Sequence, residues 1–238
     1  MATVAPLRGV GSDIFTPLME IWDRLKSDPE ELIEWYASRR RRVDKEGKEI
    51  VYEDVRRAYN DSPNGADFLF LTRACYGGIV RFRKRDGYMS TPCGAHMPVS
   101  VDSFRRSVSE WGLRMKDVSF RNCDYKVIFE EAREGDFIYC DPPYAYSQPI
   151  LYGAQDFKLE ELMIQIDRAK TRGVKVALSI DGSKKSGDIL CNLPIPDGLF
   201  EEEYFIHRGK SMLKRFQSGG GVLIGEEVAD RLLLSYTL

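Results

Sequence analysis

The sequence predicts an α/β fold with a mainly parallel sheet that carries helices on both faces. In the C-terminal half, an apolar run at 136–140, a helical pattern at 159–171 and an apolar run at 174–180 follow one another. This alternation is typical of parallel strands joined by crossover helices. Residues 204–206 and 231–236 predict a closing pair of strands. The 238 residues, 43% hydrophobic and 30% charged, exclude a disordered chain and fit one large domain, or one domain with an inserted subdomain.

The N-terminal elements follow from apolar spacing. Residues 9–14 predict a short strand that ends in Asp13. Residues 17–42 predict two helices, because apolar side chains recur at helical spacing and Ser-Asp-Pro at 27–29 supplies a cap and a first-turn proline. The polar stretch 43–66 predicts a loop.

The middle of the chain predicts two more helices around an irregular arm. Residues 67–80 form an apolar helix that ends at a glycine pair, and residues 101–112 form an amphipathic helix. Between them, Asp-Gly and Pro within 82–98 predict a hairpin or an irregular arm. Residues 126–129 predict a short strand.

Charge is balanced overall and uneven locally. The formal net charge is −2, from 35 basic and 37 acidic residues. Residues 71–85 carry five basic groups and no acid, and residues 204–221 again carry basic groups without an acid. Such clusters are what phosphate neutralisation needs. We expect a third cluster, Arg39 to Arg42, to be a solvated face.

Cysteine and histidine usage predicts no metal site. The chain has five cysteines, none with CxxC spacing, and two histidines. We expect reduced thiols that pack as small apolar residues rather than act as nucleophiles. No run reaches the roughly 18 apolar residues of a membrane helix, and the N-terminus has no signal-peptide pattern. The sequence therefore predicts a cytoplasmic protein without a membrane partner.

The chemistry is predicted at Asp141-Pro142-Pro143-Tyr144, which directly follows the strand at 136–140. Open α/β sheets bind ligands at the carboxyl ends of their strands. Consecutive prolines make a stiff turn there, because neither can continue the ladder. We therefore expect the Asp141 carboxylate, the Pro142 carbonyl and the Tyr144 ring to converge on one small volume.

This arrangement suits a planar ring with an exocyclic amine. The ring stacks on Tyr144, while the amine donates one hydrogen to Asp141 and another to the Pro142 carbonyl. An aromatic amine is a poor nucleophile because its lone pair is delocalised into the ring. Two acceptors on its hydrogens free that lone pair for attack on a methyl donor held in line. A base in a duplex reaches such a pocket only by leaving the stack.

Several blocks of sequence resemble the Dam-like class of DNA N6-adenine methyltransferases, which use S-adenosylmethionine. The blocks are GSDIFTPLMEIWDRLKSDPEELI from residue 11, DFLFLTRACYGGIVRFRKRDGYMSTPCG from residue 67, and the catalytic strand and loop FIYCDPPY. The closing block RFQSGGGVLIGEEVADRLLLSY is similar to the family's C-terminal hairpin. The resemblance covers nearly the whole chain.

The resemblance implies a Rossmann-like methyltransferase sheet formed by residues 1–42 and 124–238, with an inserted, mainly helical target-recognition subdomain at 43–123. It implies methylation of N6 of a flipped adenine in double-stranded DNA, in a restriction-modification system or alone, in a prokaryote or a phage. No metal is implied.

The resemblance also implies three groups of site residues. The catalytic group is Asp141, Pro142, Pro143 and Tyr144. The cofactor group is Asp13, which binds the ribose hydroxyls, with Asp141 and Ile138. The DNA-binding group is Arg73, Tyr76, Arg81, Lys210 and Arg215.

The sequence departs from the family at its start. The family opens with a GGK segment and then PFxGxGS on the first strand, whereas this chain starts where the second strand is expected. The resemblance therefore implies that the first strand and part of the cofactor pocket are missing. Residues 6–12, PLRGVGS, match the glycine motif only superficially.

Several alternatives stay open. In the first, a second chain supplies the missing glycine motif. In the second, the protein is a truncated, non-catalytic DNA-binding remnant. In the third, PLRGVGS serves as the glycine loop. Methylation of RNA or of N4 of cytosine is a further alternative, against which Asp141 favours adenine in DNA by resemblance.

Overall fold

The computed structural model describes residues 8–143, 157–184, 189–190, 193–210 and 227–238. The chain divides into two compact units, Met1–Tyr125 and Lys126–Leu238. The helices are α1 (Thr16–Ser27), α2 (Pro29–Glu46), α3 (Lys48–Asp61), α4 (Gly65–Ala74), α5 (Val101–Arg114), α6 (Tyr125–Glu131) and α7 (Leu159–Thr171). The strands are β1 (Gly9–Asp13), β2 (Val118–Asn122), β3 (Phe137–Cys140), β4 (Lys175–Lys184), β5 (Ile189–Leu190), β6 (Glu202–Lys210) and β7 (Glu227–Leu234).

Local capping sets helix ends in the first unit. The Asp28 carboxylate accepts a hydrogen bond from the Glu31 N–H at 3.0 Å, and Pro29 occupies the first turn of α2. The interrupted helix predicted at 17–42 is therefore confirmed as α1 and α2. Asn64 caps α4 in the same way, by accepting from a backbone N–H three residues further along the chain.

The prediction of a loop over 43–66 is wrong, because α3 occupies most of this segment. Its residues Val51, Tyr52, Val55 and Tyr59 recur at helical spacing and are at most 4% exposed. The charged residues between them face solvent and make the segment polar on average. The buried stripe is what makes it a helix.

Buried tyrosines tie α2 and α3 to the segment that precedes α5. The Tyr36 ring lies 4.4 Å from the Phe104 ring between centroids, and its hydroxyl donates to the Val99 carbonyl at 2.6 Å. The Tyr52 hydroxyl donates to the Thr91 carbonyl at 2.7 Å. Burial raises the pKa of both tyrosines, so both remain protonated donors at neutral pH.

Strands β1 and β2 form a two-stranded parallel sheet whose register places Gly11 opposite Phe120. The strand predicted at 9–14 is confirmed, whereas β2 lies outside the predicted strands. A Cβ at Gly11 would lie 2.9 Å from the Phe120 ring, so this position favours glycine for packing. Residues 9–12 of the PLRGVGS segment lie in β1.

The arm between α4 and α5 is irregular, as predicted for 82–98. The chain enters it through Gly77 and Gly78, whose φ angles of 65° and 68° favour glycine. An isolated antiparallel bridge between Phe82 and Met89 closes the arm. Both of these side chains are buried against the helices of the unit.

In the second unit, five strands form one sheet in the order β3-β4-β7-β6, with β5 paired to β4. Strands β3 and β4 are parallel, whereas β4–β5, β4–β7 and β6–β7 are antiparallel. The closing pair of strands is therefore confirmed as β6 and β7. The expectation of a mainly parallel sheet is wrong for the described residues, because β6 and β7 pair antiparallel and β7 then borders β4.

The predicted helix at 159–171 is confirmed as α7, which packs on β4. One face of β4 is apolar and fully buried, through Val176, Leu178 and Ile180. On the neighbouring strand β3, Phe137 and Tyr139 are 58% and 59% exposed. Helices on both faces of the sheet thus remain a prediction.

The strand predicted at 126–129 is wrong, because α6 covers these residues. A short apolar run does not distinguish a strand from a helical turn. Only Phe129 of this helix is buried. Among the described residues, no helix has the length and apolar character needed to cross a membrane.

A shielded ion pair joins α2 to α4. The Arg39 guanidinium donates to Oδ1 of Asp67 from Nε at 2.8 Å and from Nη2 at 2.5 Å, and the two side chains are 21% and 10% exposed. The other arginines of this cluster also meet acids: Arg40–Asp44, Arg41–Glu34 and Arg42–Glu46. The expectation of a solvated face is therefore wrong for Arg39, which is a structural residue.

We expect Asp67→Ala to lower the free energy of unfolding by about 3 kcal/mol, because it leaves the shielded Arg39 charge without its partner. Glu34→Ala is the matched control, since it breaks an ion pair whose side chains are more than half exposed and is expected to cost less than about 1 kcal/mol. Urea denaturation of both variants measures the difference. Equal losses would contradict this assignment.

Candidate active site and nucleic-acid surface

The predicted catalytic residues begin where β3 ends. Strand β3 pairs in parallel with β4 in a register that places Cys140 opposite Leu178. Asp141, Pro142 and Pro143 follow directly and belong to no strand. Asp141 thus lies at the carboxyl end of a parallel strand, the position at which α/β sheets bind ligands.

Ser179 on β4 holds the Asp141 carboxylate. Its Oγ donates to Oδ1 of Asp141 at 2.8 Å, and the Tyr139 hydroxyl donates to the same Oγ at 3.0 Å. Ser179 is only 7% exposed, whereas Asp141 is exposed. No described residue hydrogen-bonds to Oδ2 of Asp141, so this oxygen is open to a ligand.

The other residues of β3 take different positions. Strand alternation puts Ile138 and Cys140 on the face opposite Tyr139. Ile138, predicted to contact the cofactor, lies opposite Val176 in the register. Burial, followed by the nearby Asp141 charge, raises the pKa of Cys140 to about 12. Its thiol therefore stays protonated at neutral pH and is not a nucleophile.

Two cysteines of the first unit behave in the same way. Burial raises the pKa of Cys75 to about 11 and also raises the pKa of Cys93. The described cysteines form no disulfide. The prediction that cysteines are not nucleophiles is thus supported for these two and for Cys140, while Cys191 lies outside the described residues.

Asp13 occupies the carboxyl end of β1. Its Oδ1 accepts a hydrogen bond from the Phe15 N–H at 2.8 Å, just before α1 begins. The Asn122 side chain at the end of β2 donates to the Asp13 carbonyl at 3.0 Å and accepts from the Thr16 hydroxyl at 2.9 Å. Oδ2 of Asp13 has no hydrogen bond within the described part of the chain. Asp13 therefore lies just before α1, with one carboxylate oxygen bonded to the Phe15 N–H and the other without a partner among the described residues.

The basic run at 71–85 is partly neutralised by the acid that follows it. Arg83 and Arg85 lie 3.3 Å and 3.1 Å from the Asp86 carboxylate. Arg81 is exposed, and its guanidinium has no ion pair with any described residue. This leaves Arg81 and the tip residue Lys84 as unpaired cations of the arm.

The other two predicted DNA-binding residues of the first unit flank the start of the arm. Tyr76 is 41% exposed and begins the 3₁₀ turn Tyr76–Gly78. The Arg73 guanidinium lies 4.9 Å from the Phe104 ring centroid. Loss of hydration there lowers the pKa of Arg73, although an arginine stays charged at neutral pH.

Some predicted site residues lie outside the described residues. Tyr144 and Arg215 belong to this group, and so does the side chain of Lys210, whose backbone ends β6. In the second unit, a cleft of about 490 Å³ lies between α7 and residues 193–199 and does not include Asp141.

Ser179, which contacts Asp141, and Tyr139, which contacts Ser179, lie outside the predicted site residues. The sequence carries one signal for Ser179, since it is a hydroxyl residue in the apolar run 174–180. Its link to Asp141 depends on the parallel register, because the two residues are 38 positions apart in the chain.

The fold and the site together define an α/β protein with an exposed aspartate at the carboxyl end of a parallel strand. The family model of the D12 class N6 adenine-specific DNA methyltransferases matches residues 1–197. The chain therefore belongs to this family, and the Dam-like resemblance is confirmed.

Curated relatives come from bacteria, archaea and phages. The chain is 26% identical over 180 residues to a DNA adenine methylase of Vibrio cholerae, which covers 71% of this chain and 63% of the relative. It is 26% identical over 188 residues to the Type II methyltransferase M.MjaIII of Methanocaldococcus jannaschii, with the same coverage. It is 33% identical over 144 residues to the DNA N-6-adenine-methyltransferase of Escherichia phage P1, which covers 56% of this chain and 17% of that protein. The chain thus spans less than two thirds of the length of the Vibrio relative.

Proposed function

We propose that this protein is a site-specific DNA adenine methyltransferase that transfers a methyl group from S-adenosylmethionine to N6 of a flipped adenine in double-stranded DNA. The observation that carries the proposal is the Asp141 carboxylate at the end of β3, with Oδ1 held and Oδ2 open. Family membership supports the chemistry, since relatives are named DNA adenine methylase and Type II methyltransferase.

Asp141 and the residues after it activate the amine of the target base. Oδ2 of Asp141 and the Pro142 carbonyl each accept one N6 hydrogen, while the Tyr144 ring stacks on the base. The lone pair of N6 is thereby freed for attack. Bound S-adenosylmethionine would supply the methyl group. As N6 bonds to the methyl carbon, the carbon–sulfur bond would break with its electron pair left on sulfur, and N6 would release one proton to water. The transfer uses no metal ion.

Asp13 fits the role predicted for it toward the cofactor ribose. Ribose hydroxyls are hydrogen-bond donors, and a carboxylate accepts them well. Asp13 has one oxygen engaged with the Phe15 N–H and the other available, at the carboxyl end of a parallel strand. Ile138 and Asp141 are proposed as further cofactor contacts.

The arm of the first unit is proposed to bind DNA. Arg81 offers an exposed cation, without an ion pair among the described residues, for a phosphate or a guanine edge. Tyr76 offers an exposed aromatic ring for the gap left by a flipped base, and Arg73 lies near it in sequence. Lys210 and Arg215 are proposed to meet backbone phosphate.

The finer architecture is also proposed. Residues 1–42 and 124–238 would form the Rossmann-like catalytic domain, and 43–123 the inserted, mainly helical target-recognition subdomain. The three helices α3 to α5 and the arm between the last two support the helical character of 43–123. The comparisons offer no support for a second chain that supplies the glycine motif.

The organisms of the relatives support a proposal about where the protein acts. Because the relatives come from bacteria, archaea and phages, we propose action on the DNA of a prokaryotic cell, in its cytoplasm, either within a restriction-modification system or alone.

Asp141→Ala is expected to reduce methylation of duplex DNA by at least about 100-fold, because the N6 amine loses an acceptor that acts at the reacting centre. Asp167→Ala, which removes an exposed acid of α7, is the control and is expected to retain full activity. Transfer of labelled methyl groups, followed by nucleoside analysis, identifies N6-methyladenine. The proposal would be overturned if the methylated product were N4-methylcytosine, or if only RNA became labelled. Equal activity of the two variants would also overturn it.

Saturable binding of S-adenosylmethionine in the micromolar range is expected for the whole chain. Asp13→Asn keeps an acceptor for the Phe15 N–H but loses the charge, so it is expected to weaken binding about 10-fold while the fold is retained. Calorimetric titration measures this, with Asp23→Asn on the exposed face of α1 as control. The remnant alternative predicts no binding. The split-enzyme alternative predicts binding only after a fragment with the glycine motif is added.

Arg81→Ala is expected to weaken binding of duplex DNA and to lower the slope of log affinity against log salt by about 0.9, the effect of one lost phosphate contact. Arg85→Ala removes the same charge from the same arm, but Arg85 already pairs with Asp86, so a smaller change is expected. Fluorescence anisotropy at several salt concentrations compares them. A slope for Arg81→Ala equal to that of the unaltered protein would show that Arg81 makes no phosphate contact.

A further inference from the structure

The hydrogen-bond chain at the end of β3 has a fixed direction. A carboxylate has no proton, so Oδ1 of Asp141 can only accept from Ser179. The Ser179 hydroxyl has one proton and two acceptors within reach, Oδ1 of Asp141 at 2.8 Å and the Cys140 carbonyl at 3.3 Å. The nearer, charged acceptor is favoured. The Tyr139 hydroxyl then donates to the remaining lone pair of Ser179.

Ser179 differs from its neighbours on β4. Leu178 and Ile180 are fully buried apolar residues, and Ser179 itself is 7% exposed. A buried hydroxyl costs free energy unless it is hydrogen-bonded. Here its donor is used by Asp141 and its acceptor by Tyr139, so both are satisfied. An alanine would fit the space and remove both bonds.

Asp141 has little else to fix its side chain. It lies in an exposed position beyond the end of the strand, and its described side-chain hydrogen bond is the one from Ser179. Without that bond, the carboxylate is free to rotate about χ1 and χ2. Methyl transfer requires an acceptor in a fixed direction on the N6 hydrogen, because a displacement of about 1 Å can cost on the order of 100-fold in rate.

We propose that Ser179 is a positioning residue for the methyl transfer. Its hydroxyl holds Oδ1 of Asp141 so that Oδ2 faces the amine of the target base, and Tyr139 sets the direction of that hydroxyl. This inference rests on the proposed function. Ser179 touches neither the base nor the methyl group, so it acts on the rate through Asp141 alone.

Ser179→Ala is expected to lower kcat by about 10- to 100-fold, with the KM values for DNA and S-adenosylmethionine changed less than about twofold. Ser179→Thr keeps the hydroxyl and is expected to restore most of kcat. Tyr139→Phe is expected to have a smaller effect, and the double variant to lose no more than Ser179→Ala alone, since both act through one chain of bonds.

Ser235→Ala is the matched control. Ser235 is a buried serine, 5% exposed, and its hydroxyl oxygen accepts from the Val176 N–H on the same strand β4. It has no contact with Asp141. Its variant is expected to show a comparable loss of thermal stability with kcat unchanged. A purely structural role for Ser179 predicts equal kinetics for the Ser179→Ala and Ser235→Ala variants.

A crystal structure of the full-length Ser179→Ala protein gives a readout that does not depend on activity. The Asp141 carboxylate is expected to leave its single orientation in this variant and to keep it in the Ser235→Ala variant. An unchanged Asp141 rotamer overturns the inference, as does a kcat equal to that of the control. If the unaltered protein methylates no duplex DNA, the proposed function fails. The Asp141 rotamer then still shows whether Ser179 orients the Asp141 carboxylate.

Discussion

The parallel register of β3 with β4 is the constraint on which the candidate active site depends. Because Cys140 lies opposite Leu178, the next residues along the two strands, Asp141 and Ser179, meet at the carboxyl edge. The apolar face of β4 fixes this register. A slip by one residue would turn the buried side chains of one strand toward the opposite face. Residues without chemical roles thus determine where the carboxylate of Asp141 points.

In the first unit, too, buried residues hold exposed residues in place. Its helices bury an aromatic core, and polar side chains from that core reach out to the arm and its return segment. Tyr52 and Tyr36 bind the Thr91 and Val99 carbonyls, and Lys48 binds the Ala95 carbonyl at 2.9 Å. The arm is therefore exposed at its tip and anchored at its base. Binding residues on loops act well when a rigid scaffold holds them in this way.

Counting charges along the sequence overstates the cationic surface. Each arginine from Arg39 to Arg42 has a carboxylate partner, and Arg39 is a structural residue of the helical core. Asp86 lies against two arginines of the arm. Few cations of the arm then remain for an anionic partner. Because exposed charges are screened by salt, the few cations that remain supply only a modest electrostatic attraction to an anionic partner.

Local sequence patterns predicted a large part of the secondary structure of this protein. Helical spacing located α1, α2, α4, α5 and α7, with a cap signal for α2. The two aspartates at the ends of β1 and β3 followed from strand signals and motif chemistry. The segments that were missed, α3, β2 and α6, have weak or mixed patterns whose meaning depends on what covers them. The average composition of α3 is polar, because its buried stripe is narrower than its charged face.

The tertiary structure alone decided the partners of the charged and polar groups. Asp67 lies 28 positions from Arg39, and Ser179 lies 38 positions from Asp141. The sequence by itself determined that an aspartate and two prolines end a strand, which is a local property. The strand that lies beside it, and therefore the hydroxyl that orients its carboxylate, depends on chain folding over a long separation, which no local pattern encodes.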